Sequence, residues 1–236
     1  MRQAGRIVAA VLEVLASAVK PGITTGRLDA IAVRELEKHG AQASFKGYRG
    51  FPASICTSVN AEVVHGIPGN RVLQEGDLIA IDVGAIYNGF QGDAAITVGV
   101  GKIRLEAKKL IDVTRKSLEA GIAKAREGAH LSDISAAIQE CVEINGFSPV
   151  REYVGHGIGR DMHEKPEIAN FGPPGQGPIL KRGMTLALEP MVNVGDWRTK
   201  VLPDQWTVVT ADSSLSAHFE HTIAITDGEP EILTQL

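Results

Sequence analysis

Cysteine, excess positive charge and long apolar runs are all scarce in this sequence. Its 236 residues include two cysteines, whose spacing fits no metal-binding motif and whose small number suits a reducing compartment. The formal net charge of -4 and the pI of about 6.0 provide no basic surface for a phosphate backbone, which argues against nucleic acid as a substrate. No apolar run reaches the length of a membrane span, so we expect a soluble cytoplasmic protein.

The N-terminal segment, MRQAGRIVAAVLEVLASAVKPG, combines a basic start, an apolar run and an ASA triplet, as a secretory signal does. Glu13 interrupts that run, and the apolar residues from Ile7 to Val19 recur at the spacing of one helix face. The pattern therefore favours a helix of the mature protein over a signal.

A repeat with an offset of 106 residues relates segment 20–40 to segment 126–146. The offset aligns glycines at both ends and apolar residues between them: Gly22 with Gly128, Gly40 with Gly146, Leu28 with Ile134, and Ala30 with Ala136. Thr25 and Ser132 are the predicted helix caps. Another helical stretch precedes each copy, at 4–19 and at about 104–125, so a chance match is the weaker interpretation.

Strand-like runs follow each pair of predicted helices: SICTSV, DLIAIDVGAIY and AAITVGV in the first half, then MTLALEPMVNV, QWTVVTA and HTIAIT in the second. The hairpin signals between them indicate antiparallel pairing. We predict an α+β fold in a single domain over residues 1–236, because no Pro/Gly/Ser-rich linker divides it. Its halves, about 1–103 and 104–236, are expected to share one sheet and to form the functional site where they meet.

Two aspartates are predicted to lie on one face of a β-hairpin. Asn88-Gly89 is a two-residue hairpin signal, which places residue 84 opposite residue 93 and residue 82 opposite residue 95. Asp82 and Asp93 then become diagonal neighbours, roughly 7 Å apart along the backbone. An isolated aspartate here would be interpreted as a turn cap. Two carboxylates among apolar strand residues instead require a cation or a proton between them.

Glu189 and Glu220 are further acids in apolar strands, in TLALEPMV and SAHFEHTIAI. A lone buried acid could be a structural hydrogen-bond acceptor, but four of them need a shared explanation. Two divalent cations balance four carboxylates, and one neutral imidazole completes the ligand set. This oxygen-rich donor set suits Mn, Fe or Co better than structural zinc. Because paired metal ions activate water, the residues predict a dinuclear metallohydrolase.

The stretch YVGHGIGRDMHEKP contains two histidines, His156 and His163, seven positions apart among glycines. The glycines predict a tight turn, in which this spacing gives no fixed geometry. Metal binding, acid-base catalysis and a purely structural position in a loop therefore remain open for both histidines.

The sequence resembles the type I methionine aminopeptidases of the pita-bread fold, a metallopeptidase family of the M24 type. Five motifs in register over the whole chain support the resemblance: GYRGFPASICTSVN with VVHGIP, IDVGAIYNGFQGD, GHGIGRDMHEKP, LEPMVN and EHTIAIT. It implies two pseudo-twofold-related halves around a central antiparallel sheet, which would explain the repeat. It also implies removal of the N-terminal initiator methionine from nascent chains with a small second residue, by metal-activated water.

Site residues follow from the resemblance by position. The implied metal ligands hold two divalent ions, whether Co, Mn, Fe or Zn, with Asp93 and Glu220 as bridges: Asp82, Asp93, His156, Glu189 and Glu220. The implied catalytic groups are His163, which donates to the substrate carbonyl, His65, which lies near the scissile amide, and Glu189, which also transfers a proton. The other histidines, His39, His130, His218 and His221, are expected at helix ends or the surface, with His221 a possible neighbour of the ligands.

The implied methionine pocket combines aromatic and sulfur-bearing side chains, which pack well around a thioether. Its residues, with the two histidines that face the substrate, are Tyr48, Phe51, Cys56, His65, Met162, His163 and Trp206. Without their register with the family motifs, the aromatic and sulfur residues would be interpreted as ordinary core residues. Two departures from the family pattern, Phe45 and Met162, lie at the pocket, and the chain is expected to begin inside the first family helix.

The expected partners are the N-terminal methionines of nascent polypeptides, with proximity to the ribosome compatible with that substrate. A monomer without membrane or nucleic-acid partners is expected. Two alternatives remain: a proline-specific aminopeptidase or dipeptidase of the same fold, and a catalytically silent protein of that fold that binds peptides or partners. The first usually has an additional N-terminal domain, and the second tends to lose metal ligands that are all present here.

Overall fold

A computed structural model describes residues 1–235. Four helices occupy α1 (Arg2–Ala18), α2 (Thr25–Lys38), α3 (Leu105–Lys124) and α4 (Leu131–Ile144). The strands are β1 (Gln42–Ala43), β2 (Cys56–Val59), β3 (Glu62–Val64), β4 (Leu78–Tyr87), β5 (Phe90–Gly99), β6 (Ser148–Pro149), β7 (Gly155–Gly157), β8 (Glu164–Ile168), β9 (Thr185–Leu188), β10 (Met191–Asn193), β11 (Thr199–Val201), β12 (Val208–Thr210), β13 (Ser216–His218), β14 (Glu220–Ala224) and β15 (Glu231–Ile232).

The repeat predicted from the sequence is a structural repeat. Helix α4 begins and ends 106 residues after α2 begins and ends, and the short strands β1 and β6 keep the same offset. All four aligned glycines have positive φ angles: Gly22 90°, Gly128 85°, Gly40 67° and Gly146 83°. Left-handed backbone strains any side chain with a Cβ, so glycine at both ends of each copy lets the chain turn into and out of the helix.

The predicted helix caps lie one and two positions from the observed ones. Thr24, not Thr25, caps α2, and its side chain accepts the Arg27 amide. Helix α4 begins after His130, whose amide donates to the Asp133 carboxylate at 2.9 Å. The Ser132 hydroxyl instead accepts the Gln176 amide from a neighbouring loop. A tertiary contact therefore outcompetes the local capping role of Ser132.

One antiparallel sheet spans both halves, in the order β1-β4-β5-β14-β9-β7-β8, with β2 added to β4 and β15 added to β14. The halves join where β5 pairs with β14, with Ala95 opposite Glu220 and Ala94 opposite His221. Two threonines extend this short pairing in both directions. The Thr222 hydroxyl of β14 donates to the Asp93 carbonyl of β5 and accepts the Asp93 amide. The Thr97 hydroxyl of β5 donates to the carbonyl and accepts the amide of His218, which ends β13 just before β14. The seam between the halves is thereby fixed at the middle of the sheet.

Each helix pair covers its own half of the sheet with a separate apolar cluster. Helix α1 packs on β4 and β5, and α2 packs on α1 and β1, through a cluster that includes Leu15, Leu28 and Ile81, all fully buried. Helices α3 and α4 pack on the second half through residues such as Leu110 and Ile134, also fully buried. No helix within residues 1–235 is long and apolar enough to cross a membrane.

One strand prediction and one turn prediction need correction. The run MTLALEPMVNV is not one strand, because β9 ends at Leu188 and β10 begins at Met191 in a different sheet. Pro190 lies between them and has no amide to continue the ladder. The predicted tight turn around His156 is instead the buried strand β7, and the chain turns after it.

Candidate metal centre and substrate cavity

The β4–β5 hairpin places Asp82 and Asp93 as predicted. Asp93 pairs with Gly84 and Asp82 pairs with Ala95, so the aspartates are diagonal neighbours on one face. Asn88 and Gly89 form the connecting turn with φ angles of 50° and 74°. Positive φ at both positions gives the twist that such a hairpin needs, which is why the turn sequence predicted the register correctly.

The second half brings three further ligand-type side chains to the same place. Glu220 begins β14 directly across the seam from β5, and Glu189 follows the end of β9. His156 lies in β7, opposite Ala187 of β9. We call Asp82, Asp93, His156, Glu189 and Glu220 the cavity floor.

Glycines on both sides of His156 allow its strand to approach its neighbours closely. A Cβ on Gly155 would lie 2.4 Å from the Ala187 carbonyl oxygen, and one on Gly157 would lie 2.3 Å from that of Lys165. The glycine-rich sequence therefore serves close strand packing. Larger side chains at these two positions would push His156 away from the floor carboxylates.

The floor groups are close enough to share ions. One ligand atom each from Asp93, His156 and Glu220 lie within 4.8 Å of one another, and all three residues are buried. His156 Nε2 also lies 3.6 Å from Glu189 Oε1. His156 Nδ1–H donates to the Gly157 carbonyl at 2.9 Å, which leaves the Nε2 lone pair directed at the carboxylates. This tautomer is the one that a metal ligand requires.

The electrostatics of the floor fit a cationic occupant. Burial raises the pKa of Asp82 to about 7, and burial together with neighbouring carboxylates raises the pKa of Asp93, Glu189 and Glu220 well above the usual range. Three of the buried oxygens that have no hydrogen-bond partner within residues 1–235 belong to the floor: Asp82 Oδ1, Asp93 Oδ1 and Glu220 Oε1. Unpartnered buried oxygens of this kind are costly unless a cation coordinates them. The residues present therefore fit a pair of divalent metal ions.

A cavity of about 140 Å³ opens above the floor. All twelve site residues named from the sequence line it, together with Phe45 and Arg49. We call its apolar side the cavity wall: Phe45, Tyr48, Phe51, Cys56, Met162 and Trp206. Phe51 and Trp206 meet edge to face with ring centroids 5.1 Å apart. The aromatic and sulfur side chains form one cluster, separate from the cores under the helices.

Two histidines lie between floor and wall. His163 is at the cavity mouth, with its ring centroid 4.2 Å from that of His156. Burial, then the nearby His156 and Arg49, lower its pKa to about 4, so the imidazole is neutral near pH 7. His65 has a left-handed backbone with φ of 61°, and burial followed by the effect of His163 lowers its pKa to about 4. Strained backbone at a non-glycine residue is characteristic of functional sites.

The prediction for His218 was wrong, because this residue lies near the site. It was expected at a helix end or the surface, yet it is 2% exposed and its Nε2 lies 3.8 Å from Glu220 Oε2. The signal was present, because residues two apart on an extended segment share a face and His218 precedes Glu220 by two. His39 and His130 do lie at helix ends, and His221 Nδ1 lies 2.9 Å from the Thr234 hydroxyl.

A mixed fold of two related halves with a buried carboxylate and histidine cluster at their seam defines a metallohydrolase. The sequence pattern of metallopeptidase family M24 matches residues 1–227. The chain belongs to this metallopeptidase family, and its fold is the pita-bread fold.

Relatives agree over the full length. The methionine aminopeptidase of Clostridium acetobutylicum is 58% identical over 235 residues, covering 99% of this chain and 94% of the relative. Methionine aminopeptidase 1 of Bacillus subtilis is 58% identical over 236 residues, covering 100% and 95%. The crystal structure of methionine aminopeptidase from Thermotoga maritima matches with a TM-score of 0.99 at 48% identity, covering 100% and 95%.

More distant structures share the fold alone. The prolidase of Pyrococcus horikoshii matches with a TM-score of 0.78 at 18% identity, and this chain covers 60% of that longer chain. The similarity therefore extends to the architecture shared by several exopeptidases, and substrate class must be argued from the cavity.

Proposed function

We propose that this metalloenzyme is a methionine aminopeptidase that removes the initiator methionine from peptides with a small second residue. The observation that carries the proposal is that metal-ligand side chains and an apolar side-chain pocket line the same cavity. The floor is a carboxylate and imidazole cluster suited to metal ions, and the wall is an aromatic and sulfur pocket suited to a thioether side chain. Full-length relatives named methionine aminopeptidases support the same substrate.

The floor would hold two divalent ions, and Asp93 and Glu220 would be the ligands on the two strands that meet at the seam. Asp93 lies on β5, between the strand of Asp82 and the seam, and Glu220 lies on β14 on the other side of the seam. Asp82, His156 and Glu189 would complete the two coordination spheres. The donor set accepts Co, Mn, Fe or Zn. When bound, such ions supply an activated water and polarise the scissile carbonyl.

The remaining steps belong to the protein side chains. His163 at the cavity mouth would donate to the substrate carbonyl oxygen, which gains negative charge as the peptide bond is attacked. Glu189, whose side chain is 15% exposed, would both bind a metal and pass a proton to the leaving amine. His65, between the ring of Tyr153 and that of Trp206, would lie beside the scissile amide.

The wall would bind the methionine side chain. Phe51, Met162 and Cys56 are buried and leave a small opening bounded by Tyr48 and Trp206. Burial and the nearby floor carboxylates raise the pKa of Cys56, so its thiol stays protonated and packs as a soft apolar group. A thioether gains dispersion contacts with such a surface that a charged side chain would lose.

We further infer a single catalytic domain built from both halves, acting as a cytoplasmic monomer on nascent chains near the ribosome. The sheet that runs through the seam supports the single domain, since each half alone would lack part of the floor. The two free cysteines support a reducing compartment. Co-sedimentation of the protein with translating ribosomes, and its sedimentation coefficient in isolation, would test the location and the monomer.

The substrate class is tested by peptide hydrolysis with Mn-loaded or Co-loaded protein. Met-Ala-Ser should be cleaved and Ala-Pro should not, whereas a proline-specific relative would show the reverse preference. Replacing methionine by norleucine keeps the shape without sulfur and should retain much of the rate, while a lysine in its place should abolish it. Bound metal without hydrolysis of either peptide would indicate the catalytically silent alternative.

A further inference from the structure

A rigid turn aims Tyr48 at the catalytic histidine of the cavity mouth. The turn spans 47–51, where Gly47, Arg49 and Gly50 have φ angles of 84°, 49° and 91°. It is closed by the Gly47 amide, which donates to the Phe51 carbonyl at 2.8 Å, and by the Phe51 amide, which donates to the Tyr48 carbonyl at 2.9 Å. These bonds fix the backbone of the turn and so the point from which the Tyr48 side chain leaves the chain.

Tyr48 contacts His163 in two ways. Its hydroxyl oxygen lies 2.9 Å from His163 Nδ1, and the two rings stack with centroids 5.3 Å apart at an interplanar angle of 22°. The Arg49 guanidinium lies 5.4 Å from the Tyr48 ring centroid on the turn itself. A hydrogen bond and a stacked ring together restrict both the position and the rotation of the imidazole.

The hydrogen bond also selects a tautomer. A neutral imidazole has one N–H and one lone pair, and a phenol hydroxyl is a good donor to a ring nitrogen. When the Tyr48 hydroxyl donates to Nδ1, the imidazole proton must be on Nε2. His163 is then a hydrogen-bond donor through Nε2, as stabilisation of a developing oxyanion requires. The opposite tautomer would make Nε2 an acceptor, which repels that oxygen.

We propose that Tyr48 is a positioning residue whose hydroxyl keeps His163 in the tautomer protonated on Nε2. The inference rests on the proposed function for the identity of the reaction, but the tautomer itself is a property of the protein. Tyr48 therefore has a role in the chemistry of the cavity in addition to its ring forming part of the wall.

Kinetics in a double-mutant cycle test the proposal. Tyr48→Phe keeps the ring and removes the hydroxyl, so kcat for Met-Ala-Ser should fall about tenfold while KM changes less than about twofold. In a His163→Ala background the same substitution should cause no further loss, because the hydroxyl acts only through the imidazole. Tyr87→Phe, at the far end of β4, is the matched control and should leave kcat unchanged.

A purely structural role predicts something else. If Tyr48 only shapes the methionine pocket, Tyr48→Phe would raise KM and would have the same effect with and without His163. Either result would overturn the proposal. Metal content and the melting temperature should be measured for every variant, since unchanged values exclude an effect through the floor or through folding.

A spectroscopic measurement separates this inference from the proposed function. Two-bond ¹H–¹⁵N correlation spectra of histidine-labelled protein should show His163 protonated on Nε2 in the wild type and a mixture of tautomers in Tyr48→Phe. A wild-type spectrum with the proton on Nδ1 would refute the proposal even if methionine is released. Failure of the wild type to cleave Met-Ala-Ser, with the expected spectrum, would instead count against the proposed function alone.

Discussion

The side chains of the cavity floor repel one another, whereas those of the cavity wall attract one another. The floor brings together carboxylates such as Asp93 and Glu220, whose pKa values are raised by burial and then by neighbouring carboxylates, and it leaves three buried oxygens without a partner in the described part of the chain. The wall brings together apolar rings and sulfur atoms that pack against one another, as Phe51 does against Trp206. The wall is therefore stable in itself, whereas the floor needs a bound cation to be stable.

The two regions also differ in how the chain supports them. Floor residues lie on or next to strands of the central sheet, where ladder hydrogen bonds fix their spacing. Wall residues such as Phe51, Met162 and Trp206 lie in turns outside the strands. The sheet thus fixes the spacing of the floor groups, while most of the wall is carried by turns, with Cys56 of β2 as the exception.

The largest effect should separate two histidines of the same short stretch. His156→Ala removes a floor ligand and should abolish both metal binding and activity. His163→Ala should retain the metal and lower kcat by about 10² to 10³, the usual range for loss of one oxyanion donor. Metal analysis of the purified variants and their kcat for Met-Ala-Ser check both. If His163→Ala loses the metal and His156→Ala keeps it, the assignment of the two histidines is reversed.

Truncation of the wall should reduce stability without affecting the floor. Phe51 is 4% exposed, so Phe51→Ala should lower the free energy of unfolding by about 3 kcal/mol through lost burial and a new cavity. Metal content should not change, and KM for methionine substrates should rise. Urea denaturation of the metal-free protein measures the loss. Val201→Ala, at a position 54% exposed, is the control and should stay within about 0.5 kcal/mol. Loss of metal from Phe51→Ala would show that wall and floor are not independent.

The size of the second residue of the peptide should change kcat/KM, because this residue lies next to the scissile bond. Because the cavity measures about 140 Å³, a small second residue leaves the scissile bond free to approach the floor. We expect kcat/KM for Met-Ala-Ser to exceed that for Met-Lys-Ser by at least about tenfold. Competition between the two peptides in one reaction measures the ratio directly. Equal turnover would contradict a restricted second position.

The smallest expected effect is the pH dependence of the metal-free protein. Raised carboxylate pKa values mean that the folded state binds more protons at these groups than the unfolded state does, so their contribution to stability is most favourable in acid and becomes less favourable as pH rises. For Asp82 the loss begins near the unfolded value of 3.8 and is complete above the folded value of about 7. Asp93→Asn removes one charge, so this variant should lose less stability over that range and melt above the wild type near pH 7. Added Mn or Co should reverse the loss in the wild type.

An aspartate of the opposite kind provides the control for this measurement. Main-chain amides of Asp196 and Ser214, with the Ser214 hydroxyl, lower the pKa of Asp212 to about 2. Its contribution is present above the unfolded value and is lost as pH falls through about 2, so Asp212→Asn should destabilise near pH 7. Melting curves of the chelated proteins compare both variants. A melting temperature of Asp93→Asn clearly below the wild type would refute the repulsive floor.

The sequence by itself determined the features that local physics dictates. Asn88-Gly89 sets a two-residue turn, so the diagonal placement of Asp82 and Asp93 followed from strand alternation. The 106-residue repeat followed from glycines at matched positions, which the observed positive φ angles explain. Acids among apolar strand residues indicated a metal centre, because several buried carboxylates are costly unless cations or protons neutralise them.

Only the tertiary structure decided what depends on distant parts of the chain. No local pattern places Glu220 across the seam from Ala95, or turns His218 inward to within 3.8 Å of Glu220. The spacing of His156 and His163 does not show that the glycines beside His156 allow close strand packing. Nor does it show that His163 Nδ1 is hydrogen-bonded to the hydroxyl of Tyr48, more than a hundred positions away. Side-chain direction and tautomer are set by neighbours that only folding brings together, and these neighbours turn a set of suitable residues into a site.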